Sequence, residues 1–152
     1  MRFTIMVICV FSASVLTVCA QENAKEQEAL QGTWIAVSQQ FEGDKPMFFD
    51  GKHFPKNSAT KMTFKANKIA VRFETPKDGD YEWTYKLDPS KKPRQIDIVY
   101  RMDGKDSKPV LGIFRIENDT LTMCFGEKER PTDFATKADD GRALFVLKRA
   151  AK

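Results

Sequence analysis

Histidine is nearly missing from this chain: His53 is the only one in 152 residues. That excludes metal centres built from several imidazoles and leaves one candidate imidazole base, in the loop Gly51-Lys52-His53-Phe54-Pro55. No serine lies in a Gly-x-Ser-x-Gly elbow, so Ser58 lacks the frame that would complete a triad with His53. Cysteine is scarce as well. Cys9 and Cys19 fall in the N-terminal apolar stretch and Cys124 stands alone beyond it, so the downstream part cannot form an internal disulfide. Thr122-Met123-Cys124-Phe125 reads as a strand and not as an electropositive helix start, so Cys124 is expected to be a small buried hydrophobe. The acidic turns Asp78-Gly79-Asp80, Asp103-Gly104 and Asp139-Asp140-Gly141 lack the alternating ligand spacing of a calcium loop, and Asp-Gly is what turns need in any case. There is no repeat of fixed period and no low-complexity tract. The expectation is a protein without metal or cofactor and not an enzyme. The one chemistry left open is carboxylate-assisted hydrolysis, whose paired acids are spaced in three dimensions and not along the chain.

Long apolar runs are limited to one. Arg2 precedes an uncharged stretch from Phe3 to Ala20 that closes on Val18-Cys19-Ala20, the pattern of a secretory signal. Residues 1–20 are therefore expected to be removed on export to the periplasm or beyond. An uncleaved anchor is the alternative, weakened by Ser12, Ser14 and Thr17. Leu16-Thr17-Val18-Cys19 also resembles a lipoprotein signal, with Val18 where a smaller residue is usual, which makes lipid attachment at Cys19 a further alternative. Losing the leader takes Arg2 from the 25 basic residues and nothing from the 21 acidic ones, so the remainder carries a net charge of +3. That is a poor footprint for nucleic acid. The densest basic run, Lys91-Lys92-Pro93-Arg94, could with Lys86 form a patch for an anionic ligand or a membrane surface, although basic runs in loops are usually just solvated.

What is abundant is alternation. Residues 21–29 are a polar leader in which Ala24 to Leu30 consists of good helix formers, predicting one short helix. From Thr33 the period is two. Thr33–Gln40 opens the domain, and a loop with Gly43, Pro46, Gly51 and Pro55 follows. Met62 and Phe64, then Ile69, Val71 and Phe73, describe a hairpin turned at Ala66-Asn67-Lys68. Beyond Asp78-Gly79, Tyr81, Trp83, Tyr85 and Leu87 share one face. Ile96, Ile98, Tyr100 and Met102 form the next inward set, and Asp103-Gly104 turns toward a strand from Val110 to Ile116. Thr120–Phe125 presents Leu121, Met123 and Phe125, and Ala143–Arg149 closes the chain after a long loop. Eight antiparallel strands over 30–149 joined mostly by short turns predict an all-β domain, either a two-sheet sandwich or an up-and-down barrel. The barrel is preferred because closure removes exposed edges.

Several blocks carry a resemblance. They are Leu30-Gln31-Gly32-Thr33-Trp34; Tyr85-Lys86-Leu87-Asp88-Pro89-Ser90-Lys91-Lys92-Pro93 leading into Ile96-Asp97; Gly112-Ile113-Phe114 ahead of Asp119-Thr120-Leu121; Arg130-Pro131-Thr132-Asp133-Phe134; and Val146-Leu147-Lys148-Arg149. In this order they resemble the uncharacterised family of small exported proteins expanded in planctomycete bacteria. That family usually has Gly-Thr-Tyr where this chain has Trp83-Thr84-Tyr85, and Gly-Asp where it has Asn118-Asp119. The resemblance implies a fold and no activity. The opening Gly32-Thr33-Trp34 also resembles the lipocalin start, which implies that the late basic residue Arg149 lies over the Trp34 ring. Gly112, within a strand, is expected where a neighbouring ring covers the backbone.

Two functional expectations follow. In the first, Phe64, Phe73, Trp83, Tyr85, Tyr100 and Met123 line a lipocalin-like barrel that holds a small apolar or amphipathic ligand. In the second, those side chains fill the barrel, and the protein is a structural or protein-interaction domain of the cell envelope. Its partner contacts are then Lys91, Lys92 and Arg94 in one loop and Arg130 and Phe134 in another.

Overall fold

A computed structural model describes residues 21, 24–42, 48–49, 52–53, 60–73, 80–102 and 104–151. The leader with Cys19, Ser58, the Asp78-Gly79 turn and Asp103 lie outside the described residues. A short helix over 24–30, as the composition predicts, is followed by β1 (Gly32–Phe41), β2 (Phe48–Phe49), β3 (Lys52–His53), β4 (Thr60–Lys65), β5 (Lys68–Phe73), β6 (Asp80–Asp88), β7 (Arg94–Met102), β8 (Lys105–Asp106), β9 (Val110–Glu117), β10 (Thr120–Gly126) and β11 (Arg142–Arg149). β1, β4, β5, β6, β7, β9, β10 and β11 pair in sequence, each antiparallel to both neighbours. The β1–β11 and β6–β7 ladders complete the ring. The domain is the closed eight-stranded up-and-down barrel that the alternation predicts.

Two connections are more structured than the sequence suggests. The long β1–β4 loop contains the β2–β3 hairpin, in which Phe48 pairs with His53. The chain after Gly104 does not run straight into β9. It first folds back as β8 on the end of β7, and Ser107 N donates to Tyr100 O at 2.8 Å.

The interior follows the two-residue period. In β4 and β5 burial alternates without exception, placing Thr60, Met62, Phe64, Ile69, Val71 and Phe73 inside. Together with Trp34, Trp83, Tyr85, Ile96, Ile98, Phe114, Leu121, Met123, Phe125, Phe145 and Leu147 they form one core that begins, among the described residues, at Leu30. β1 needs a correction of phase. Its register against β11 slips between Ala36 and Ser38, so the inward series Trp34, Ala36 continues as Gln39, Phe41. The extra residue, Val37, is 59% exposed. Such a bulge lets one strand bend around a barrel without turning its apolar side chains out.

Gly32 is required by its backbone conformation and Gly112 by its neighbours. Gly32 has φ +107°, a region costly for residues with a Cβ, and the Arg149 guanidinium passes 3.5 Å from where a Cβ would stand. At Gly112 an added Cβ would lie 2.4 Å from Phe125 Cδ1 and 3.0 Å from Cys124 O, because the Phe125 ring covers this stretch of β9 as expected. Gly112→Ala should therefore force Phe125 off its position and destabilise the barrel by about 2 kcal/mol in urea unfolding. An unchanged midpoint would mean that the ring moves aside without cost.

Candidate functional site

The barrel has two unlike ends. At one, helix 24–30 packs under the strands and seals the interior. Leu30 and Trp34 are fully buried, and Trp34 Nε1 donates to Leu30 O at 2.8 Å. Arg149 follows Leu147 on an inward row, and its guanidinium carbon lies 4.1 Å from the centre of the Trp34 ring. Its nitrogens donate to Gln31 O at 2.9 Å, Ala29 O at 2.8 Å and Asp119 Oδ1 at 3.0 Å. The expected cation–π contact is thus also a cap on the helix C-terminus, where unpaired carbonyls favour a cation. Arg94, the first inward residue of β7, is its counterpart. It pairs with Glu26 of the helix, and its guanidinium carbon lies 5.9 Å from the Phe114 ring centre.

Gln31 completes the seal. It accepts from Ala66 N at 2.7 Å and donates to Gln27 O at 2.8 Å and Tyr85 Oη at 3.2 Å. Ala66 sits at φ 54°, unusual for a residue with a side chain, and its carbonyl accepts from Tyr85 Oη at 2.7 Å and from Gln27 at 3.0 Å. The strained turn is held by these bonds. Burial pushes the Tyr85 hydroxyl above its ordinary range, partly offset by the bond from Gln31.

The other end, termed the mouth, is the rim from which the connections 42–59, 74–79, 103–109 and 127–141 leave and to which they return. The mouth-side halves of the strands are rich in rings. Phe41 and Phe125 each meet Phe145 edge to face, with centroids 5.5 and 6.1 Å apart, Phe73 meets Tyr81 at 5.7 Å, and Trp83 meets Tyr100 at 6.4 Å. Phe41, Tyr81, Tyr100, Val110 and Ala143 are only partly buried there, whereas Leu30, Trp34, Leu121 and Leu147 are completely covered. One polar pair enters this apolar lining: Gln39 Nε2 donates to the buried Thr60 Oγ1 at 3.0 Å.

All the predicted lining residues face the interior, at different depths. Phe73, Trp83 and Tyr100 belong to the mouth half, Met123 lies midway along β10, and Phe64 and Tyr85 meet edge to face at 5.4 Å near the sealed end. Gln31, Gln39 and Thr60 carry no sequence signal of their own. Gln39 in particular becomes an inward residue only through the bulge.

The loop residues divide differently. Lys91 and Lys92 are exposed, whereas Arg94 is bound to the helix. Segment 127–141 lies against the outer wall over β7, β9 and β10. Arg130 Nη1 donates to Gly112 O at 2.6 Å and sits 2.6 Å from Asp97 Oδ1, an ion pair off the hydrogen-bond axis. Arg115 stands 4.7 Å over the Phe134 ring, and Arg142 Nη1 donates to Asp133 Oδ1 at 2.9 Å. Asp140 accepts the backbone N–H groups of Lys137 and Arg142, a turn role. Arg130 and Phe134 therefore both make contacts that fasten their own loop. Beneath it Cys124 is buried, with Sγ 3.9 Å from Ala135 O, as a small apolar residue should be.

The chain matches no family model, no curated protein and no solved structure. The barrel itself is compatible with a lipocalin-like domain: a helix-sealed end, a Gly-x-Trp first strand and an arginine over the tryptophan.

Arg149→Lys should keep the charge and lose the planar fork that reaches three acceptors while covering Trp34. A loss of about 2 kcal/mol in thermal unfolding is expected, and an unaltered Tm would show the contacts to be incidental. Burial pushes the Cys124 thiol from 9.0 up to about 11, so the native protein should resist thiol reagents at mildly alkaline pH and react once denatured. The sign follows from linkage: the folded state favours the neutral thiol, so this contribution is full below pH 9.0 and is lost as pH rises through about 11.

Proposed function

We propose that the protein is an exported lipocalin-like barrel that holds a small apolar or amphipathic molecule at its mouth. The observation that carries this reading is the cluster of rings in the mouth-side half of the interior, of which Phe41, Tyr81 and Tyr100 are only partly buried. Rings offer a large apolar contact at little conformational cost, and a few polar groups among them orient a ligand. Gln39 and Thr60 supply such groups. A ligand with an apolar or aromatic body and one hydrogen-bonding group suits this lining. The leader at residues 1–20 supports action outside the cytoplasm, and the likeness to the planctomycete exported family agrees with it.

A second reading draws on the same burial. From Trp34 to Leu147 the core side chains are at most 5% exposed, as expected of a barrel filled by its own residues. The protein would then act through its outer surface as an interaction domain of the envelope.

Native mass spectrometry of the protein from its producing cells separates the two. Under the ligand reading a reproducible added mass disappears on denaturation. Because Trp34 is shielded beneath Arg149, titration of delipidated protein with fatty acids and aromatic lipids should change the emission of Trp83. A bare mass together with unchanged Trp83 emission would sink the ligand reading in favour of the filled barrel.

A further inference from the structure

Among the described residues the sealed end carries a cluster of mostly exposed lysines. Lys65 ends β4 and lies opposite Lys68 at the start of β5; Lys68 is in turn opposite Thr84, and Lys86 is the next outward residue of β6. Lys91 and Lys92 follow in the β6–β7 link, which the Arg94–Glu26 pair ties to the helix, and the helix bears Lys25. Lys25, Lys65, Lys86, Lys91 and Lys92 are exposed. Lys68 has a partner in Glu82 at 2.8 Å. Among the described residues most acids of this rim stand beside a cation: Glu82 by Lys68, Asp119 by Arg149 and Glu117 by Arg115. Glu28 is exposed, Glu26 is engaged by Arg94, and Asp97 is taken by Arg130. Asp88 is held ionised by hydrogen bonds from Ser90 and faces Lys91. At the mouth Lys105 and Lys108 stand beside Asp106, and the 127–141 segment mixes Lys128, Arg130 and Lys137 with Glu127, Glu129, Asp133, Asp139 and Asp140.

A second observation gives the cluster a direction. The apolar stretch that ends at Ala20 precedes helix 24–30 by so few residues that the two are within about 15 Å, even fully extended. A membrane met by that stretch, during export or through Cys19, is met by the sealed end first. From the lysine cluster and this proximity we propose that the sealed end is a docking surface for a bilayer containing anionic phospholipid, with the mouth turned away from it. Lysines near such a surface act additively and from a distance, need no pocket, and lose their hold as salt rises. Among the described residues no helix is long and apolar enough to cross a membrane.

The test uses the chain from Gln21 onward, the form expected after export, which carries every core residue among the described residues, and sedimentation with vesicles of phosphatidylcholine alone or with about one-third phosphatidylglycerol. The protein should pellet with the anionic vesicles at low salt and remain in solution with the neutral ones. Replacing Lys65, Lys86, Lys91 and Lys92 together by Gln should lower the partition coefficient at least about 100-fold with Tm unchanged. The mouth variant Lys105→Gln/Lys108→Gln should shift it by no more than about threefold. Equal pelleting with both vesicle types, pelleting with neither, or the same loss from both variants would overturn the proposal. None of these outcomes depends on whether the mouth binds a ligand.

Discussion

A helix as short as 24–30 has no stability of its own in water. It persists because the carbonyls of Ala29 and Gln31 meet the Arg149 guanidinium, which lies flat on Trp34 and reaches Asp119 in the β9–β10 turn. One side chain from the last strand thus joins the first strand, the helix and a distant turn. Arg94 does the same from β7 through Glu26. The bottom of an eight-stranded barrel is otherwise open to water, and sealing it with apolar residues alone would leave the helix carbonyls unsatisfied. A guanidinium solves both problems, since its face packs on a ring while its edge donates.

This division of labour explains why the two ends can differ so much. The sealed end is over-determined: Gln31, Ala66 and Tyr85 are cross-bonded, and a positive-φ alanine is tolerated there. The 127–141 segment stiffens one flank from outside through Arg130, Phe134 and Asp140. The mouth is left with rings, one polar pair and long connections. Binding residues are commonly borne on such connections above a rigid frame.

Much of the frame was legible in the sequence. Period-two alternation marks the strands because each has a wet and a dry face, and the short helix is announced by its formers. Trp34, Arg149 and Gly112 also behave as their residue types and positions suggest. The rest was hidden for identifiable reasons. The phase slip at Val37 leaves no trace in composition, so the inward turn of Gln39 and Phe41 cannot be read from a uniform period. The β2–β3 and β8 pairings are too short for a periodic signal. Arg130 and Phe134 have the composition of a contact surface, yet such a composition serves equally well to fasten a loop to its own barrel, and only the positions of Asp97 and Arg115 distinguish the two uses. The depth ordering that separates Tyr85 from Tyr100 arises from strand stagger, which no single strand encodes.

The parity of the ring has one more consequence. With an even number of strands running alternately up and down, β1 starts and β11 finishes on the same rim, where Ala150 N still bonds Thr33 O at 2.9 Å. Whatever is joined to either terminus hangs from that rim. A tag, a tether or a neighbouring module can therefore be appended on both sides without crossing the opening, and the chain can be re-cut at a mouth connection, with its old ends fused, while every strand keeps its neighbours.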